Sequence, residues 1–351
     1  MRENTLTHRQ RLGLVWLGAV SPLFQRLPGE LTAAGGLAWL GPVFALVPLA
    51  LAALLVQRLL RGSGAASLTG ALRRCVGGGL GRSLVFLYGL WAVTLCAAAL
   101  RSGAERFRWA VFPEGSATVL LAVMTGLGLM AALGRLRTLG RMGEVCLPFL
   151  LLGLGLVMVP ALGSVQPGNL LSGGGEAVPA AAMGALAVTN TVSGALLAAF
   201  LPAESPGSRN SWLRVTAGWA LLGLGLCVVT VGRLGPALAG ELPYPFFVML
   251  RDVGLPGLLE RVEALLCAQW VVTDFFLVAT LLSAGGRCLT AGLTGREEPK
   301  RALTLLGGAA ALLLAWLGPE GLWAALPVGN ALVVFGGLTA VLLVGCLRRR
   351  V

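Results

Sequence analysis

Apolar residues run in ten long blocks separated by short polar loops, at roughly 12–31, 38–57, 83–103, 117–133, 144–162, 180–201, 212–232, 261–284, 302–317 and 328–347. A hydrocarbon core about 30 Å thick needs about 20 apolar residues of helix, at about 1.5 Å of rise each. Most blocks meet that length, while 117–133 and 302–317 are short. Peptide groups find no water partner in lipid, so each block must satisfy its own backbone as a helix. The pattern predicts an all-α polytopic membrane protein with ten transmembrane helices. The loops are too short for a second folded unit, so residues 1–351 read as a single integral domain.

Composition agrees, with 56% hydrophobic and only 12% charged residues and a mean hydropathy of +0.84. The net charge of +12 resembles a nucleic-acid signal until its placement is followed. Of the 27 lysines and arginines, seven (Arg26, Arg101, Arg106, Arg108, Arg233, Arg251 and Arg261) fall on one side of the ten-span layout. The other 20, Lys300 among them, fall on the opposite side. The positive-inside rule then places both termini in the cytoplasm, which an even span count permits. Nucleic acid is excluded as a partner, since its recognition would gather the cations on a folded surface with interleaved aromatics. The partner these charges imply is the lipid bilayer: Arg135, Arg137 and Arg141, like Arg348–Arg350, read as orientation signals and anionic-lipid contacts.

Arg9-Gln10-Arg11 before the apolar run from Leu12 resembles an export leader. No small-x-small cleavage site follows, and Pro22 and Arg26 interrupt, so a retained first helix is expected. The seven cysteines show no paired spacing and read as small buried hydrophobes. With His8 as the single histidine, no His-based catalytic or zinc site can be assembled, and neither an enzyme nor a cofactor is expected.

Ten spans divide into two halves of five, about 10–162 and about 178–347, and an odd number per half gives an inverted repeat. Helices 1 and 6 are then equivalent, and both are expected to be broken near mid-membrane. Helix 1 carries Gly18, Ala19, Val20, Ser21 and Pro22, and proline both removes a donor and clashes with the preceding turn. Helix 6 carries Thr189, Asn190, Thr191, Val192, Ser193 and Gly194, the most polar patch inside any block. Glycine and proline are also common in membrane helices merely as packing residues. Paired breaks would bare N–H groups at one half-helix and C=O groups at the other, attracting a carboxylate and an ammonium. Such a geometry suits a small zwitterion, a free amino acid with a small neutral side chain.

Three stretches resemble the endospore germination permeases, the B subunits of nutrient-germinant receptors. They are Pro28 through Trp39 (PGELTAAGGLAW), then Tyr244-Pro245-Phe246 with Arg251, then Leu259 through Ala264 (LERVEA) with Trp270. With matching span number and order, the likeness covers nearly the whole chain. It implies the amino acid–polyamine–organocation superfamily and its five-plus-five fold. It also implies residence in the spore inner membrane beside an A-type membrane subunit and a C-type lipoprotein. On that likeness the B subunit senses a small-molecule germinant, usually an amino acid. The chain departs from the family at Ser21-Pro22, where glycine is usual.

Asp274, beside Thr273, is the one acid near the centre of a block, and an ion there costs about 2.5–3.5 kcal/mol on insertion scales. It reads either as a proton-linked or ligand-binding group or as a structural hydrogen-bond partner of Asn190 or a nearby threonine. Tyr88 and Trp91 read as pocket walls or as packing aromatics. Glu260, Arg261 and Glu263 read as an ion-pair cluster at the start of helix 8. Two functions remain open: a non-enzymatic germinant receptor subunit, and a secondary transporter coupling an amino acid to H⁺ or Na⁺. Fold alone does not separate them.

Overall fold

The computed structural model describes residues 4–251 and 262–348, and these are helical nearly throughout. Fifteen α-helices follow in order: α1 (His8–Arg26), α2 (Leu40–Ser63), α3 (Leu68–Val76), α4 (Gly78–Ala110), α5 (Ala117–Leu133), α6 (Leu136–Leu162), α7 (Pro167–Leu171), α8 (Ala177–Ser193), α9 (Arg209–Leu234), α10 (Pro236–Glu241), α11 (Pro245–Arg251), α12 (Val262–Thr294), α13 (Arg301–Leu317), α14 (Glu320–Ala331) and α15 (Leu338–Leu347). Tighter 3-10 segments cover Gly29–Trp39 and Gly194–Phe200, and a wider π segment, Leu332–Gly337, joins α14 to α15. Glu260 and Arg261, and the side chain of Glu263, lie outside the described residues, so the expected ion-pair cluster there does too.

Among the described residues, seven helical segments are long and apolar enough to cross a membrane: Gly29–Ser63, Gly78–Ala110, Leu136–Leu162, Ala177–Phe200, Arg209–Leu234, Ala264–Thr294 and Glu320–Leu347. α5 and α13 are apolar but shorter, 17 residues each. α1 is more polar, and its surroundings explain why. It packs against α6, α8, α9, α12 and the Gly194–Phe200 segment, so protein covers most of its surface. A helix shielded from lipid needs no apolar exterior. The outer helices carry the exposed apolar side chains instead, among them Met130 on α5, Phe149 and Leu152 on α6, Leu221 on α9 and Leu306 on α13.

The start of α1 is fixed by a capping box. Thr7 Oγ1 accepts from the Gln10 amide at 3.2 Å, and Gln10 Oε1 accepts from the Thr7 amide at 3.0 Å. One turn on, the buried Arg11 donates to the carbonyls of Ala66, Ser205 and Pro206, tying α1 to two loops. α4 and α12, 33 residues each, form the most extensive helix pair. Glycine permits their approach: a Cβ at Gly89 would stand 2.9 Å from the Leu289 amide nitrogen, and one at Gly103 2.9 Å from an Asp274 oxygen.

The two expected helix breaks take a different form. α1 winds continuously through Ser21 and Pro22, and the α-helix ends only at Leu27 (φ −97, ψ 143) before the 3-10 segment begins. Pro22 costs one donor, which leaves the Gly18 carbonyl without its i+4 partner, but the turn stays wound. Helix 6 tightens to 3-10 winding at Gly194 while keeping helical dihedrals (φ −57, ψ −31). Neither segment unwinds into a strand of free peptide dipoles.

Candidate functional site

α1, α4, α8, α12 and α14 surround a cavity of about 190 Å³ at the centre of the bundle. Gly18, Ser21 and Pro22 reach it from α1, Asn190 and Thr191 from α8, Gly194 from the tightened segment, and Asp274 from α12. Residues about 170 positions apart in sequence, expected to meet, do meet here.

The remaining expected residues stand behind the wall. Ala19 is fully buried. Thr189 Oγ1 donates to the Ala185 carbonyl at 2.7 Å, and Thr273 Oγ1 to the Gln269 carbonyl at 2.9 Å, both spent on their own helices. Tyr88 and Trp91 anchor the last helix. The Tyr88 hydroxyl donates to the Val333 carbonyl at 2.7 Å, and Trp91 Nε1 donates to Asn330 Oδ1 at 3.2 Å. Held by Trp91, the Asn330 amide donates to the Asn190 carbonyl and to Ser193 Oγ, each at 2.7 Å. Asn330 thus fastens α14 across the point where helix 6 changes its winding.

Asp274 differs most from expectation. Its partners are neither Asn190 nor a threonine but Arg106 and Ser21. Arg106 Nη2 lies 2.5 Å from Asp274 Oδ2, with the two side chains 1% and 9% exposed. The Ser21 hydroxyl donates to Asp274 Oδ1 and accepts from Arg106 Nη2 at 3.1 Å. The guanidinium also lies 4.8 Å from the Trp270 ring centroid, a favourable stacking distance for a cation. A carboxylate in the bilayer interior is tolerable only when paired and hydrogen-bonded, and this triad supplies both. The triad joins α1, α4 and α12 at one point.

Asp274 and Arg106 also line a second, apolar cleft of about 200 Å³, walled by Leu120, Val123 and Leu127 of α5. The ion pair is therefore a partition between the central chamber and an apolar outer one.

Sequence reasoning missed several residues. Arg106 sits beyond the apolar block that ends at 103, because α4 continues to Ala110. A usable signal existed: Ala99, Gly103 and Arg106 share one helical face, and a lone mid-span acid requires a cation. Gln25, Arg26, Glu30, Ser102 and Asn330 also line the chamber. Arg26 Nη1 and Glu30 Oε1 form an ion pair at 2.6 Å, and Glu30 Oε2 accepts from Thr191 Oγ1 at 3.2 Å. The amides of Gln25 and Asn190 face the chamber, and neither side chain has a hydrogen-bond partner among the described residues. The chamber presents an acid, an ion pair and two uncommitted amides within an otherwise apolar wall, the usual makeup of a small-molecule site.

A family model described as spore germination protein matches residues 14–317. No curated protein matches the sequence. Among solved structures, the chain is similar to MHP1, a nucleobase-cation-symport-1 family transporter solved in a closed conformation with bromovinylhydantoin bound. The TM-score is 0.61 at 14% identity, covering 95% of this chain and 75% of that one. At that identity the likeness speaks for the fold, that of an all-α membrane transporter.

Proposed function

The chain belongs to the spore germination protein family, and from that membership we propose that it is a germinant receptor B subunit. It binds a small amino acid in the central chamber and signals to A-type and C-type partner subunits in the spore inner membrane. Its fold is read as two inverted halves, about 10–162 and 178–347, whose first helices, α1 and α8, both contribute to the chamber.

The observation that carries the ligand reading is that the partnerless amides of Gln25 and Asn190 line one chamber of about 190 Å³ together with Asp274. The volume lies below the roughly 300–1,000 Å³ of sites for drug-sized molecules, so the occupant is small. The ammonium of a zwitterion faces Asp274 and the Gly18 carbonyl, whose i+4 donor Pro22 removes. Its carboxylate faces the Gln25 and Asn190 amides and the Arg26 guanidinium. Recognition thus rests on side chains more than on bared helix ends, because both helices stay wound. A ligand shifts the conformational balance only through unequal affinity for two states. A ligand carboxylate that takes Arg26 competes with Glu30, which Arg26 shares with Thr191, and this exchange is the proposed source of the inequality.

A second reading, a secondary transporter for a small solute, is favoured by the fold likeness to a symporter. Binding of L-alanine and the other small amino acids to the purified chain, with uracil as a contrast, tests the site. Asn190→Ala removes an amide that holds no protein group, so folding is expected to be unaffected. Affinity is expected to fall about tenfold, the worth of one hydrogen bond to a charged group. Absence of amino-acid binding, or equal binding by the variant, overturns the site. Gradient-driven uptake by this chain alone in liposomes would support the transporter instead.

A further inference from the structure

Thirteen residues beyond Asp274 on α12, about 20 Å along the helix axis, stands a second buried cation that the central chamber does not use. Arg287 is only 7% exposed, yet it makes no hydrogen bond or ion pair among the described residues. Its guanidinium lines a polar cleft of about 670 Å³ on the arginine-rich face, between the α5–α6 loop, the α12–α13 loop and Asn4. A buried guanidinium without a hydrogen bond is costly, because burial removes most of its water, and Glu298 and Glu297 act on it only through their charge.

The rest of the cleft has the same polarity. Arg135 and Arg301 line it, against Glu298 as the lining carboxylate. The neighbouring Glu297 leans toward Arg73, at 3.9 Å. Two helices begin at the rim, α6 immediately after Arg135 and α13 at Arg301. Neither N-cap side chain accepts from its helix, and neither first turn holds an acidic residue. A helix start carries about half a positive charge and unpaired N–H groups, and normally attracts Asp, Glu or a capping hydroxyl. Arginine at both starts adds positive charge to two positive helix ends, a combination that favours an anion between them. Loop arginines alone would satisfy membrane orientation, but orientation does not require a cation drawn 93% into the protein.

We propose that this cleft is a phosphate-binding site, with Arg287 as its buried anchor and Arg135, Arg301 and the starts of α6 and α13 completing the cradle. A tetrahedral oxyanion offers enough acceptor oxygens to engage a guanidinium fork and two sets of helix-terminal amides together. The phosphate is that of an anionic phospholipid headgroup or of a free phosphate compound, and the two sources are separable.

The test uses the intact chain purified in neutral detergent. Inorganic phosphate, added against potassium chloride of equal ionic strength, is expected to raise the thermal unfolding midpoint by a few degrees (about 2–4 °C). In parallel, protein from vesicles of phosphatidylcholine with or without phosphatidylglycerol is examined by native mass spectrometry for retained lipid. A phosphate shift without lipid retention identifies a free anion, and selective retention of phosphatidylglycerol identifies a headgroup. Arg287→Gln is expected to weaken either response about tenfold or more. Glu298→Gln changes an exposed side chain, so it folds regardless of the fate of Arg287→Gln, and it is expected to strengthen the response several-fold. The proposal fails if chloride matches phosphate and no anionic lipid is retained. It also fails if both variants respond like the parent chain.

Discussion

The Arg106–Asp274–Ser21 triad buries a charge pair where α1, α4 and α12 meet. Two opposite charges taken out of water lose several kcal/mol of hydration each and recover it only through close, well-satisfied geometry. Removing one partner strands the other. Arg106→Met is therefore expected to destabilise the protein by about 3–5 kcal/mol, read as a lowered unfolding midpoint in detergent. The double variant Arg106→Met with Asp274→Leu leaves no stranded charge, and it is expected to be more stable than either single variant. Equal loss in all three would mean that the pair is not the interaction being measured. Asp274 itself was legible in the sequence, since an ionisable group so deep in an apolar block has to face polar surroundings. Its neighbour was not legible. Arg106 stands outside the apolar block on a helix that hydropathy ends too early, and only the crossing of α4 over α12 brings the two together.

That crossing belongs to the helices. Gly89 lets the α4 backbone come so close to α12 that a Cβ there would stand 2.9 Å from a backbone nitrogen, a contact with no flexible end to yield. Gly89→Val is expected to force the helices apart, costing about 1–3 kcal/mol. Gly103 of the same helix packs against Asp274, so a separation that spreads along α4 should also weaken ligand binding in the central chamber. Thermal unfolding and binding titration on one preparation check both; a variant as stable as the parent would show that the helices are not in such close contact. Helix placement was largely readable, because lipid demands continuous apolar helix and leaves few alternatives. Helix winding was not. Ser21-Pro22 reads as a break, yet the helix stays wound through it to Arg26, held by the packing of α1 against α6, α8, α9 and α12. Asn330 was hidden for a related reason: it lies inside a block whose other residues are nearly all apolar, and its role as a fastener to Asn190 depends on a contact 140 residues away.

For the molecule as a whole, the bundle is a transporter fold whose central chamber is closed on one flank by a charge pair and bordered by a second. Arg106 with Asp274 sums to zero, as does Arg26 with Glu30. Carrying one elementary charge through 100 mV is worth about 2.3 kcal/mol. A zwitterionic ligand entering a chamber lined by cancelling pairs displaces almost no net charge along the membrane normal. The electric field across the bilayer thus has little grip on the event. Ligand affinity in sealed vesicles is expected to stay within about twofold when a potassium diffusion potential of about 100 mV is imposed. A change of about tenfold or more would mean that ions move with the ligand, as an electrogenic carrier requires. Balanced in this way, the protein would work equally well in a polarised or a fully depolarised membrane.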